Sequence, residues 1–193
     1  YTGWNEAYYT IEFKDVTDEG EFYYDYVCQM ADMDITKGWE DGTFRPFETI
    51  NRATVVTFIW RYEGRPEPKS IAKFSDMPEN TAKNQDFRKA ISWAAEQGIT
   101  TGYSDGTFRP WDKCNRAAIV TFLWRYADKP APKSNAKFSD KTGNTDFDKA
   151  ISWAAENGIT TGWADNTFRP WDQCKRLAVA SFMVRLDVLL YGE

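Results

Sequence analysis

Gly38-Trp39-Glu40-Asp41-Gly42-Thr43-Phe44-Arg45-Pro46 decides the fold, because the chain writes this phrase three times. It returns as GYSDGTFRP from Gly102 and as GWADNTFRP from Gly162. A period of about 60 residues is one small supersecondary unit, which cannot bury its apolar face alone and must stack on its neighbours. Any site built from the repeated residues therefore exists in two or three versions. Recurrence suits multivalent binding better than catalysis.

Upstream of the loop, each copy opens on an aspartate phrase: Phe13-Lys14-Asp15-Val16, Phe74-Ser75-Asp76-Met77 and Phe138-Ser139-Asp140. A helix-period stretch follows. Its apolar set is Phe87, Ala90, Ile91, Ala94 and Ala95 in the second copy, and Phe147, Ala150, Ile151, Ala154 and Ala155 in the third. That spacing is one face of a helix. The first copy places Tyr23, Tyr26, Val27, Met30 and Ala31 there. Gly98 and Asn157-Gly158 stop the later two helices, whereas the first copy has Met33-Asp34 and a less clear ending. Within the loop, Asp-Gly or Asp-Asn suits a tight turn. Phe44, Phe108 and Phe168 are expected to plug into the core, and the following proline prevents a helix.

Downstream, a second helix starts at Asn51 and at Asn115, both good N-caps. Lys175 takes that place in the third copy and has no acceptor to offer. Apolar residues cover several sides of this helix, as in Val55, Val56, Phe58, Ile59, Trp60 and Tyr62. Such girth predicts burial all round, with the three second helices as a central bundle in an all-α fold. The proline linker Gly64–Ser70 repeats as Asp128–Ser134, a stiff extended connector. The expected organisation is an aromatic-rich leader at 1–12, copies at 13–66, 74–128 and 138–193, and linkers at 67–73 and 129–137. No linker follows the third copy, which reads as terminal. The start at Tyr1-Thr2-Gly3-Trp4 reads as a piece of something longer.

Composition narrows the function. The net charge of −5, with no long basic run, argues against general attraction to nucleic acid. No apolar stretch of about 18 residues is present to span a membrane. The chain has no histidine, which removes Ser-His-Asp and Cys-His catalysis and every His-ligated metal. No metal or other cofactor is expected. Cys28, Cys114 and Cys174 fit no metal or redox spacing. Cys114 and Cys174 hold the place of Ile50 and read as buried thiols. Nine tryptophans either fill joints between repeats or stack on a sugar or partner. For Trp93 and Trp153, beside the stripe of the first helix, both readings stand.

With these pieces assembled, the chain resembles the surface-layer homology family, over about residues 13 to 190. The aspartate openings, the amphipathic helix ending in Gly-Ile, the G[YW]xDGTFRP loop and a helix opened by an Arg-containing tetrapeptide carry the likeness. The resemblance implies a pseudo-threefold, all-helical body that anchors proteins to bacterial cell walls. It implies a secreted location at the bacterial cell surface, with cargo domains joined outside this fragment. The ligand it implies is a secondary cell-wall polysaccharide bearing pyruvyl ketals, held in grooves between repeats. The family tetrapeptide Thr-Arg-Ala-Glu appears here as Asn51-Arg52-Ala53-Thr54, Asn115-Arg116-Ala117-Ala118 and Lys175-Arg176-Leu177-Ala178. Its glutamate is missing from every copy, so the reciprocal capping box cannot form.

The site chemistry follows. A pyruvyl ketal presents a carboxylate. A helix N-terminus offers unpaired N–H groups and partial positive charge, and Arg52, Arg116 and Arg176 add a charge-assisted partner. Trp39, Tyr103 and Trp163 are placed to stack on sugar, and Asp41, Asp105 and Asp165 to accept from hydroxyls. Competing structural readings stand beside these: the arginines pair with a neighbouring carboxylate, and the aspartates form turns. The third site, with Lys175 and Leu177, is expected to be the weakest. The leading function is a noncatalytic wall-anchoring module. A protein-interaction scaffold and a glycan-processing enzyme are the alternatives, though the latter needs one distinct carboxylate pair.

Overall fold

Each copy ties its opening phrase to its own loop. In the computed structural model, which describes residues 12–192, the Asp15 carboxylate accepts from the backbone amides of Phe44 at 2.8 Å and Arg45 at 2.7 Å. Asp76 clamps Phe108 and Arg109 in the same way, and Asp140 clamps Phe168 and Arg169. The clamp holds Arg45, Arg109 and Arg169 at φ of 61°, 59° and 58°. That left-handed conformation costs a non-glycine residue about 1–2 kcal/mol. Two charge-assisted hydrogen bonds per loop offset it.

A Phe–Gly contact completes the loop. The Phe13, Phe74 and Phe138 rings lie 5.6, 5.7 and 5.8 Å from those of Phe44, Phe108 and Phe168. The latter three are fully buried, as the sequence led us to expect. The first ring of each pair also presses on the loop glycine. Gly102 has φ of 67°, and a Cβ there would lie 2.4 Å from the Phe74 ring and 2.7 Å from the Thr107 carbonyl oxygen.

Among the described residues six α-helices follow from the periodicity: α1 (Tyr24–Asp32), α2 (Arg52–Tyr62), α3 (Gln85–Glu96), α4 (Arg116–Tyr126), α5 (Thr145–Glu156) and α6 (Arg176–Tyr191). The first helices are one-sided: α3 buries Ala90, Ile91, Ser92, Trp93 and Ala94. The second helices are buried nearly all round, and α4 is buried from Arg116 to Trp124. In the first copy Asp34 takes the left-handed stop (φ 55°) that Gly98 and Gly158 take at 69°. The Ile35 amide then donates to the Met30 carbonyl as Ile99 does to Ala94, so this helix ends like its relatives without glycine. The linkers are pinned by Trp60 and Trp124, whose indole N–H groups donate to the Pro66 and Pro130 carbonyls at 2.9 Å. Trp93 and Trp153 are buried, the packing alternative.

The helices interlock around a ring. Each second helix packs mainly on the first helix of the next copy: α2 on α3, α4 on α5, and α6 back on α1. At the centre α4 touches both α2 and α6. At one end of the bundle, the Ile50 amide donates to the Cys174 carbonyl, Cys114 to Ile50, and Cys174 to Cys114, at 2.9–3.0 Å. Three backbone bonds thus close a circle through all three copies. Cys28, Cys114 and Cys174 are free and buried, and burial pushes the Cys114 thiol up to about 12. The expected leader lies, apart from Glu12, outside the described residues.

The Gly102→Ala substitution tests the loop packing. It combines a disfavoured φ with overpacking of a filled contact, so we expect a loss of about 3 kcal/mol in urea unfolding. Gly64→Ala, where a Cβ meets nothing within 4 Å, keeps the φ penalty and lacks the clash, and is expected to cost clearly less.

Candidate binding grooves between repeats

The first turn of each second helix has N–H groups that need acceptors, and closure of the ring supplies them. The Arg52 and Ala53 amides donate to the Asp112 and Pro110 carbonyls of the next copy at 3.0 and 2.9 Å. Arg116 and Ala117 use Asp172 and Pro170, and Arg176 and Leu177 use Glu48 and Pro46. The third amide is taken by the Asn51 side chain from Thr54, and by Asn115 from Ala118, each at 2.8 Å. Lys175 has no side-chain cap, and the Ala178 amide uses the Lys175 backbone carbonyl instead. This corrects the sequence expectation of free helix amides: the neighbouring loop has consumed them.

The arginine side chains play two parts. Arg52 Nε donates to the Phe108 carbonyl at 2.9 Å, Arg116 Nε to Phe168 at 2.8 Å, and Arg176 Nε to Phe44 at 2.7 Å. The guanidinium groups lie over those same Phe rings at 4.9, 4.7 and 4.6 Å. The residues are only 8%, 9% and 7% exposed. Among the described residues none of the three has an ion-pair partner, and none of their Nη atoms makes a hydrogen bond to another described residue. The paired-carboxylate reading therefore does not hold. Burial pushes Arg176 down to about 10 and lowers Arg116, yet both stay charged at neutral pH. Arg176 has the same geometry as the other two, so backbone and arginine placement give no ground for a weaker third copy.

The structure pairs each arginine with the aromatic residue of the next copy, not of its own. Arg52 lies 4.9 Å from the Tyr103 ring, Arg116 5.9 Å from Trp163, and Arg176 6.0 Å from Trp39. Arg45, Arg109 and Arg169 also stack on these rings, at 4.2, 4.0 and 4.2 Å. Asp41, Asp105 and Asp165 are engaged within their loops. Asp41 Oδ1 accepts from the Thr43 amide and hydroxyl, and Oδ2 from Arg45 Nη2 at 3.0 Å; the other two loops repeat this. These bonds, the Thr hydroxyl first and the arginine second, hold all three carboxyls down at about 2.

Two grooves result from this arrangement. The first, about 990 Å³, brings together Arg176, Trp39, Asn51, Thr57, Arg61 and Trp111. The second, about 300 Å³, brings together Arg52, Tyr103, Asn115, Thr121, Arg125 and Trp171. Each draws on all three copies. The sequence reading missed Trp111 and Trp171, which are half exposed with Phe47 at the equivalent place. They stand edge-on to Phe87, Phe147 and Tyr23. The signal was available, since an aromatic residue follows the loop proline in every copy. Lys113, which lines both grooves, was also missed. It has no basic counterpart at Thr49 or Gln173, so the repeat gave no signal.

Comparison with known proteins is consistent with this geometry. The family described as the S-layer homology domain matches at residues 12–56, 73–119 and 137–180. "Cell surface glycoprotein 1" of Acetivibrio thermocellus is 30% identical over 154 residues, covering 72% of this chain and 6% of that protein. The "Cellulosome-anchoring protein" of the same organism is 30% identical over 146 residues, covering 72% of this chain and 32% of that protein. The "S-layer protein" of Bacillus licheniformis is 25% identical over 172 residues, covering 87% and 19%. The chain thus spans a third or less of each of these relatives.

Acid should undo the loop latch before it undoes the helices. The folded carboxyls at about 2 lie below the ordinary 3.8, so their contribution is complete above about pH 4 and lost as the pH falls toward 2. NMR titration should show the amides of Thr43, Thr107 and Thr167 moving together in that window. Midpoints near 4 would show that the latch does not form.

Proposed function

Since the chain belongs to the S-layer homology domain family, we propose that it is a noncatalytic anchoring module of the bacterial cell surface whose inter-repeat grooves bind an acidic, pyruvylated secondary cell-wall polysaccharide. One observation carries this reading. Three arginines are nine-tenths buried, and each spends Nε on a carbonyl while, among the described residues, it has no ion pair and its Nη donors are uncommitted. A buried charge without a partner is costly, and a bound carboxylate would recover part of that cost. The Nε bond fixes the guanidinium plane, so the two Nη donors are already oriented for the two oxygens of a carboxylate.

The rest of the groove supports a sugar. Tyr103 and Trp39 are held flat by an arginine stacked on one face. Trp111 and Trp171 offer apolar faces across the groove, and the Thr and Asn side chains supply hydrogen-bonding groups. Asp41, Asp105 and Asp165 keep the loops in shape, with both carboxylate oxygens engaged inside the loop. Attached cargo domains elsewhere in the natural protein fit a module whose relatives are several times longer. A glycan-processing activity has no support from a distinct carboxylate pair. A protein partner could also offer carboxylates to these arginines, so preference for a glycan rests on the aromatic faces and hydrogen-bonding groups of the grooves.

Calorimetry with a short pyruvylated fragment tests the reading. Arg52→Gln should weaken binding at the second groove, and Arg176→Gln at the first, by about 1.5–3 kcal/mol each, or roughly 10- to 100-fold. Because Nε also holds the joint, each variant is compared at a temperature where circular dichroism shows it folded. Trp111→Ala removes a half-exposed side chain and should weaken only the first groove, by about 0.5–1.5 kcal/mol. A double Arg variant should lose polymer avidity out of proportion to its single-site losses. Unchanged affinity in all four variants would reject the proposal, as would release of sugar fragments from wall glycan by the intact chain.

A further inference from the structure

The two grooves share a wall, and one lysine belongs to both. We propose that Lys113 joins them into a single path, so that one polymer with repeated acidic groups crosses from the first groove to the second and is held on the way by the lysine. The inference rests on the reading that the grooves bind an acidic wall glycan. It adds the residue that sets the preference for a polymer over a single acidic sugar.

Backbone geometry builds the shared wall. Asn51 and Lys113 face each other as an antiparallel pair. The Arg52 amide donates to the Asp112 carbonyl at 3.0 Å on one side of the pair, and the Cys114 amide to the Ile50 carbonyl at 2.9 Å on the other. Residues opposed in this way carry their side chains close together on one face. Asn51 lines the first groove, its chain neighbour Arg52 lines the second, and Lys113 lines both. Consecutive Cα atoms are about 3.8 Å apart, so little separates the grooves here. The equivalent pairs at the other two joints differ. Asn115 faces Gln173, and Lys175 faces Thr49. The first of these is uncharged. In the second, Lys175 Nζ lies 5.8 Å over the Phe47 ring, and the residue lines neither groove.

The charges of the two grooves favour a crossing at this point. Lys113 is exposed. Among the described residues the ion-paired lysines are Lys37, Lys89 and Lys133, so Lys113 has no carboxylate of its own. The second groove is lined by Arg52, Lys113 and Arg125 and by no carboxylate; Arg125 is paired with Asp146 at 3.4 Å. The first groove carries Glu40, Glu48, Glu79 and Asp86 beside its cations. Asp86 is answered by Arg61 at 2.9 Å and Glu48 by Arg45 at 3.7 Å. An anionic chain that leaves Arg176 in the first groove therefore meets less negative surface as it passes Lys113 and reaches Arg52. The guanidinium groups are fixed by their carbonyl bonds and need a carboxylate in one orientation. A lysine ammonium is a point charge with rotatable donors on a flexible stem, which suits an acidic group in transit between two fixed sites.

Calorimetry of the whole chain tests this with two probes. One is the methyl glycoside of a pyruvyl-ketal sugar, and the other is an oligosaccharide carrying two such ketals on consecutive repeat units. The oligosaccharide should bind the wild-type chain more tightly than the glycoside does. Lys113→Gln installs the residue of the third copy at a place that the ladder holds through its backbone, so the fold is kept. It should weaken oligosaccharide binding about fivefold, or about 1 kcal/mol, near the upper end for an exposed charge, and should flatten its salt dependence. It should leave glycoside binding nearly unaffected. An oligosaccharide no tighter than the glycoside, an unchanged oligosaccharide affinity in Lys113→Gln, or an equal loss for both probes would overturn the inference and leave the grooves as separate carboxylate sites. Failure of the wild-type chain to bind the glycoside would instead reject the carboxylate reading, and this inference with it.

Discussion

The hydrogen bond from each arginine Nε to a phenylalanine carbonyl of the next copy is the interaction on which the rest depends. It joins the start of a second helix to the end of the neighbouring loop, and the third bond returns the chain to its beginning, from Arg176 to Phe44. Around it lie the backbone bonds that satisfy the helix amides and the three-bond circle through Ile50, Cys114 and Cys174. A helix end normally satisfies its donors with its own cap or with water. Here the neighbour satisfies them, so no copy is complete alone. That is the local form of the general rule for stacked repeats.

Closure also decides the chemistry of the surface. Carbonyl bonding fixes one edge of each guanidinium, and for Arg52 and Arg176 it leaves the other in a groove that takes residues from three copies. The buried charge is tolerated because the Phe ring below it contributes a cation–π attraction and the carbonyl a charge-assisted bond. Neither neutralises it. A pseudo-threefold body with net charge −5 therefore places positive charge at its joints, where the proposed anionic ligand would meet it. The same element that holds the ring together would present the donor to the proposed ligand, so groove and fold cannot vary independently.

Much of the architecture was legible because repetition multiplied weak signals. The helix periods, the buried Phe44, Phe108 and Phe168, the Asn caps and the central second helices all follow from local pattern. The arginines stood out because they recur at a helix start. What was not legible was which copy meets which. Sequence places Arg52 nearer to Trp39 than to Tyr103, and only the ring shows that Tyr103 is its neighbour. The fate of the helix amides was hidden for the same reason, since carbonyls carry no sequence signature. Asp34 could not be recognised as a helix stop because aspartate adopts the left-handed conformation only when the surrounding bonds favour it. Trp111 and Trp171 were visible as an aromatic residue repeated after the loop proline, but nothing in the local pattern marked them as groove residues.

Amide hydrogen exchange measured residue by residue tests closure most directly. If the ring is closed, the amides of Ile50, Arg176 and Leu177, which join the third copy to the first, exchange only through global unfolding. Their protection then matches that of Cys114, Arg52 and Ala53 at the first joint. If those three amides instead exchange through local opening, orders of magnitude faster than their counterparts, the third copy is merely appended and the cyclic account is wrong.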